Sequence, residues 1–118
     1  MDSNSNFGQV SKQVMDFELP VLSILGDQQA AAVGQACLTP GSIKSTYGTG
    51  CFVIINSGDK FIHSKSRLLG TICYKVDGKA TYALEGSIFI AGAGVQWIRD
   101  SINIIKNANE TQAIVESM

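Results

Sequence analysis

The chain has 118 residues and a mass of 12.6 kDa, about one domain's worth, which excludes an enzyme built as a cleft between two complete lobes. Hydrophobic residues make up 45% and charged residues 16%; the first figure argues against disorder, and the second points to extensive burial or to a face made to be covered. Nine basic and ten acidic residues give a net charge of −1 with no basic stripe, so the charge pattern lends little support to nucleic-acid binding.

Residues 1–13 are polar and aperiodic and read as a frayed or extended end. From Phe17 to Leu25 apolar residues alternate loosely, and Pro20 restricts that stretch to an edge strand or an extended arm. Gly26 breaks the pattern, Asp27 is a good N-cap, and Gln28 to Ala36 reads as an alanine-rich helix ended by Thr39-Pro40-Gly41. Strands follow. Ile43–Tyr47 and Cys51–Asn56 flank the tight Gly48-Thr49-Gly50 turn, and Asn56-Ser57-Gly58-Asp59 is a further turn. Thr71–Val76 and Ala80–Leu84 flank Asp77-Gly78, a strong hairpin signal. Ser87 to Ile105 is then predicted as one amphipathic helix, because Ile88, Ala91, Val95, Ile98, Ile102 and Ile105 recur at three- and four-residue steps. Gly92 and Gly94 would each weaken it by about 1 kcal/mol, which suggests that something approaches its backbone closely. Asn109 with Gln112 resembles a capping box opening a last short helix.

Cys37, Cys51 and Cys73 are widely spaced, form no CxxC, and read as free thiols of a reducing cytosol; lone His63 completes no metal site. The start Met1-Asp2-Ser3-Asn4 lacks the basic and apolar regions of a signal peptide. The most apolar stretch, 86–95, falls well short of the ~20 residues that span a membrane. A cytoplasmic location without membrane insertion is the expectation, and in that setting the sequon at Asn109 is a chance match.

Four places could carry chemistry. Asp27 and Gln28 put a carboxylate and a carboxamide at a helix start, where Asp is either a cap or, at a cleft, an acceptor of a hydroxyl proton. Gly48-Thr49-Gly50 is either a plain hairpin turn or a loop whose amides and hydroxyl face a phosphate. It is neither a Walker loop nor a dinucleotide fingerprint. Gly92 to Gln96 lets a ligand, or merely a strand, lie against the backbone. Glu85-Gly86 reads as a cap or turn between the last strand and the long helix. Trp97 reads as packing and Arg99–Asp100 as a solvated ion pair.

Gly-Asp-Gln-Gln-Ala-Ala (26–31), Ser-Thr-Tyr-Gly-Thr-Gly-Cys-Phe (45–52), Tyr-Ala-Leu-Glu-Gly-Ser-Ile-Phe-Ile-Ala-Gly-Ala (82–93) and Gln-Trp-Ile-Arg-Asp (96–100) occur in that order. Together they closely resemble the middle of the glycerol kinases, in the FGGY carbohydrate kinase family of the actin–hexokinase superfamily. The resemblance runs nearly continuously from Leu22 to Glu116, while residues 1–21 match poorly. It implies an α/β fold, part of a ribonuclease-H-like lobe: a small, mostly antiparallel mixed sheet with flanking helices. Residues 22–40 would be the end of the N-terminal kinase lobe with its crossing helix, and 41–118 the first half of the C-terminal lobe.

The resemblance further implies phosphorylation of glycerol, or a related polyol, by ATP with Mg²⁺. Asp27 matches the catalytic aspartate, which also binds glycerol, and Gln28 a glycerol contact. Thr49, with Gly48 and Gly50 shaping its turn, matches a nucleotide-phosphate contact, and Gly92 and Gln96 match nucleotide contacts. The family's N-terminal phosphate loop, its Arg-Glu pair and its adenine-binding segment are not among these residues. The chain is therefore expected to be inactive alone, and to associate with complementary kinase segments or with itself. The alternative is a non-catalytic remnant or interaction module of a split or decayed kinase gene.

Overall fold

The computed structural model describes all of residues 1–118. The elements in chain order are β1 (Gln9–Val10), β2 (Leu19–Pro20), α1 (Asp27–Gly34), β3 (Ile43–Tyr47), β4 (Cys51–Gly58), β5 (Leu69–Val76), β6 (Lys79–Ile88), α2 (Gly92–Trp97), a π-helical turn (Ile98–Ile102) and α3 (Glu110–Glu116). β1 and β2 form a two-stranded antiparallel sheet, and the other four strands form a sheet in the order β3-β4-β6-β5. The expected small α/β arrangement is what the chain adopts. It packs as two compact units, one of Met1–Lys44 with Val53–Gly86, the other of Ser45–Phe52 with Ser87–Met118.

In the first unit the polar end is docked rather than frayed. Asp2 Oδ2 accepts from the Gly78 amide at 2.6 Å, Asp2 Oδ1 lies 3.2 Å from Lys75 Nζ, and the Lys75 amide donates to Ser3 Oγ at 3.0 Å. Hydropathy periodicity is blind to such side-chain-to-backbone bonds, which is why the sequence reads as loose there. Pro20 sits in the two-residue β2, as a residue without an amide proton should.

The β5–β6 hairpin turns at Asp77 and Gly78, with φ of 50° and 74°, the left-handed pair that matches the strand twist. Register shifts between Ile72 and Tyr74, so Cys73 is an extra residue and lies buried. It joins Ala32 of α1, Cys37, Ile54 of β4 and Ala83 of β6 in a small core. Burial, and secondarily the neighbouring Cys37, push the Cys73 thiol above its ordinary range. All three cysteines are free.

Asn56 seals this core. It is almost wholly buried, its Nδ2 donates to the Cys37 carbonyl at 2.9 Å, and its Oδ1 accepts from the Gly58 amide at 2.8 Å. A buried carboxamide satisfied at both ends fixes its surroundings. Here it ties the segment leaving α1 to β4, so α1 is anchored from its C-terminal side. β4 runs through Asn56 and Ser57 to Gly58, two residues into the predicted turn.

The second unit overturns the long helix. β6 continues to Ile88, and α2 begins only at Gly92. Ile88, Phe89 and Ile90 are 63%, 79% and 70% exposed, so they form no buried helical stripe. Two β-branched residues around a phenylalanine favour extended backbone, and two following glycines weaken a helix; the three-and-four spacing of isoleucines was a coincidence of composition. α2 passes directly into the π turn, which Asn103 ends in the left-handed region with φ 60°. Trp97, expected to pack, is 58% exposed. α3 forms as expected, but without the capping box: Asn109 makes no side-chain cap, and Glu110 instead reaches back to the amides of Lys106 and Asn107.

Candidate functional site

In the first unit, Asp27 is not the helix cap. The N-cap is Gly26, and Asp27 is the first residue of α1. Asp27 Oδ1 accepts from the Gln28 amide at 2.7 Å, a bond to its own neighbour that leaves Oδ2 without a partner in the chain. A carboxylate in the first helical turn is favoured by the helix dipole. The side chain is exposed, oriented through one oxygen and free at the other. That arrangement suits acceptance of a proton from a ligand hydroxyl.

Gln28, next to it, is half-buried, and its Oε1 accepts from Lys44 Nζ at 2.6 Å. Nothing in the sequence singles out Lys44. In β3, Ile43 faces out and Lys44 lies inside, the reverse of what hydropathy assigns. The one signal was a lysine in a strand four residues before a glycine turn, which is too common to use.

In the second unit, two glycine stretches that read as separate candidates are bonded together. The Gly92 amide donates to the Gly48 carbonyl at 3.0 Å, and the amides of Ala91 and Ala93 donate to the Thr49 carbonyl at 2.9 and 3.2 Å. The turn also closes on itself, the Gly48 amide donating to the Gly50 carbonyl at 2.9 Å. A Cβ on Gly92 would stand 2.6 Å from the Gly48 carbonyl oxygen, and one on Gly50 would stand 2.6 Å from that of Ile88. Close backbone approach therefore requires both glycines.

The Thr49 amide takes no part in this backbone network, and the residue is exposed. Its amide and hydroxyl are two donors on a turn held by backbone alone, the kind of feature that can receive phosphate oxygens. Gln96 is exposed on α2, four residues after Gly92 and so on the same helical face.

Glu85 does not lie between strand and helix. It sits within β6, opposite Leu69 of β5. Arg99 and Asp100 form the expected exposed ion pair, with bonds of 2.6 and 2.8 Å that hold the Asp100 carboxyl below its ordinary value. No group of three or more His, Cys, Asp or Glu side chains could hold a metal ion, and no helix is long and apolar enough to cross a membrane.

No protein-family model matches the chain. Individual proteins do. The chain is 57% identical over 115 residues to the glycerol kinase of Chelativorans sp. (strain BNC1), a match covering 98% of this chain and 23% of that protein. It is 50% identical over all 118 residues, 1–21 included, to the glycerol kinase of Coxiella burnetii (strain RSA 493 / Nine Mile phase I), covering 24% of it. Among solved structures, Plasmodium falciparum glycerol kinase with ADP superposes with a TM-score of 0.87 at 44% identity, over 99% of this chain and 24% of that one. Xylulose kinase from Rhodospirillum rubrum, at 21% identity and a TM-score of 0.66 over 94% of this chain and 23% of that one, shares the actin-like ATPase fold. The chain thus spans about a quarter of the length of the relatives it matches. By sequence and by fold, it is homologous over nearly its whole length to that quarter of a glycerol kinase.

Proposed function

We propose that this chain supplies acceptor-side and nucleotide-side elements of an ATP-dependent kinase that converts glycerol to sn-glycerol 3-phosphate. The observation that carries the reading is Asp27, a carboxylate released from capping duty, oriented through Oδ1 and free at Oδ2 beside Gln28. Phosphoryl transfer needs positioning and charge stabilisation, plus a base on the acceptor hydroxyl. Asp27 takes or orients that proton, and Gln28 bonds the same polyol. Thr49 donates to nucleotide phosphates from the turn shaped by Gly48 and Gly50. Gly92, bonded to the Gly48 carbonyl, keeps the start of α2 beside that turn so that its backbone borders the nucleotide, and Gln96 bonds the nucleotide.

The relative solved with ADP supports the nucleotide assignment. Mg²⁺ customarily accompanies ATP, but these residues build no cage for it. It would be held largely by phosphates, water and groups elsewhere, and no step here is routed through it. Residues 22–40 serve as the end of one lobe with its crossing helix, and 41–118 as the first half of the other, in a cytoplasmic enzyme.

The chain alone turns over no glycerol, because it spans only about a quarter of the relatives and lacks the Arg-Glu pair and N-terminal phosphate loop that the resemblance implies. Large apolar side chains stand exposed in each unit, Phe17 and Leu22 in the first and Phe89 and Ile90 in the second. They support association, with complementary kinase segments or with itself. They also favour the second reading, a non-catalytic interaction module from a split or decayed gene. A coupled ADP-release assay with glycerol and Mg·ATP separates the readings. No turnover is expected from the chain alone, and turnover is expected once the complementary segments of a glycerol kinase are added. Association without turnover would favour the interaction module, and turnover by the chain alone that Asp27→Asn abolishes would overturn the expected inactivity.

A further inference from the structure

Lys44 is the one charged side chain that the fold buries, at 4% exposure. Burying an ammonium is unfavourable unless it is well partnered, and replacing such a group with an apolar one is often neutral or stabilising. Stability is therefore a weak account of this lysine. Its one hydrogen bond, from Nζ to Gln28 Oε1, points to another.

An ammonium has three donors and no acceptor, so a carboxamide beside it can only present oxygen. The bond thus fixes the polarity of Gln28. With Oε1 engaged by Lys44, what Gln28 offers a ligand is its Nε2 donors. Asp27, the preceding residue, offers only an acceptor, Oδ2. The two neighbours form an acceptor–donor pair, which is what hydroxyl groups, each both donor and acceptor, can satisfy.

We infer that Lys44 is a positioning residue, which holds Gln28 by its oxygen so that the carboxamide serves as a fixed donor beside Asp27 for a polyol. This rests on the acceptor-side reading of Asp27 and Gln28 given above. If Lys44 merely packed its aliphatic stem, Gln28 would not depend on it.

Side-chain NMR on the ¹⁵N-labelled 118-residue chain decides. In the wild type the order parameter of the Gln28 carboxamide is expected to lie well above that of exposed Gln35, which falls below about 0.6. Lys44→Met should release Gln28 to the Gln35 level, with the Ile54 and Ala83 methyl signals reporting an unchanged core, and Lys44→Arg should keep it ordered. A wild-type Gln28 as mobile as Gln35 overturns the inference and needs no variant to fold. So does a Gln28 that stays rigid in a folded Lys44→Met chain. Glycerol titration of the same labelled chain, joined by the complementary segments of a glycerol kinase, then tests the underlying reading separately. Shifts at the Gln28 carboxamide that weaken about tenfold in Lys44→Met support both, since one neutral hydrogen bond is worth about that factor. Wild-type resonances unmoved by glycerol, with Gln28 still released by Lys44→Met, would count against the acceptor-side reading and leave the positioning by Lys44 in place.

Discussion

The start of α1 and the Gly48–Gly50 turn are both short and bordered by glycine, and Asp27 and Thr49 are exposed on them, yet these residues are held by opposite means. At α1 each candidate side chain is oriented by its own bond, Asp27 Oδ1 accepting from the Gln28 backbone amide and Gln28 Oε1 from Lys44 Nζ. At the turn the backbone does the holding, through four amide-to-carbonyl bonds among residues 48–50 and 91–93. The nearest atom to a Cβ on Gly26 would be Gln29 Oε1, the movable end of a side chain, whereas for Gly92 it would be a backbone oxygen. A side-chain-held site can lose its chemistry and keep its shape. A backbone-held site is damaged by an added carbon.

The largest effect sharpens this contrast in a kinase completed with the complementary segments of a glycerol kinase. Asp27→Asn should lower kcat by on the order of 10³–10⁴-fold with ATP affinity and melting temperature nearly unchanged. A loss of about 1 kcal/mol of stability with kcat retained would reduce Asp27 to a carboxylate favoured by the helix dipole, with no part in catalysis. Thr49→Ala in the same enzyme removes one donor to a charged phosphate, worth roughly 10–150-fold in nucleotide affinity and transfer, measured by steady-state kinetics with nucleotide titration.

The next effect is one of stability and is read by urea denaturation of the chain itself. Gly92→Ala must displace the Gly48 carbonyl and should be destabilising by about 1–3 kcal/mol. Gly26→Ala only needs Gln29 to move and should stay within about 0.5 kcal/mol. Equal losses from both would erase the distinction between the two modes of holding.

The smallest effect uses a second side-chain-held place, the tether of Asp2 to the β5–β6 turn. The Gly78 amide first, and Lys75 second, keep the Asp2 carboxyl below the ordinary 3.8. Because the folded value is the lower one, the contribution is fully present well above pH 3.8 and is lost as pH falls through the folded value. Exchange of the Gly78 amide with solvent should rise over that acid range in the wild type. The rise should be absent in Asp2→Asn, and a rise of the same size in both would assign it to another group.

Much of the fold was legible because it depends on neighbours in sequence. Asp77-Gly78 specified its hairpin, since few residue pairs accept two left-handed φ values. Gly26 to Gly41 marked α1 and its exit, and the four ordered motifs pointed to the kinase fold. The long helix over 87–105 was misread because strand and helix compete for the same apolar run, and the pairing of β6 within the sheet decided in favour of strand up to Ile88. The candidate residues were legible as types, since a carboxylate, a carboxamide and a glycine-flanked threonine declare their chemistry.

What the sequence by itself determined, then, was the local turns, the strand block, the homologous family and the types of the candidate site residues. Tertiary structure alone decided that Gly26 rather than Asp27 caps α1, that residues 48–50 and 91–93 share one set of backbone bonds, and that a lysine sixteen residues away directs Gln28. The reason is physical. Propensity and periodicity arise between neighbours a few residues apart, whereas a Cβ clash with a distant carbonyl or a buried ammonium seeking an acceptor exists only once the chain has brought those atoms together.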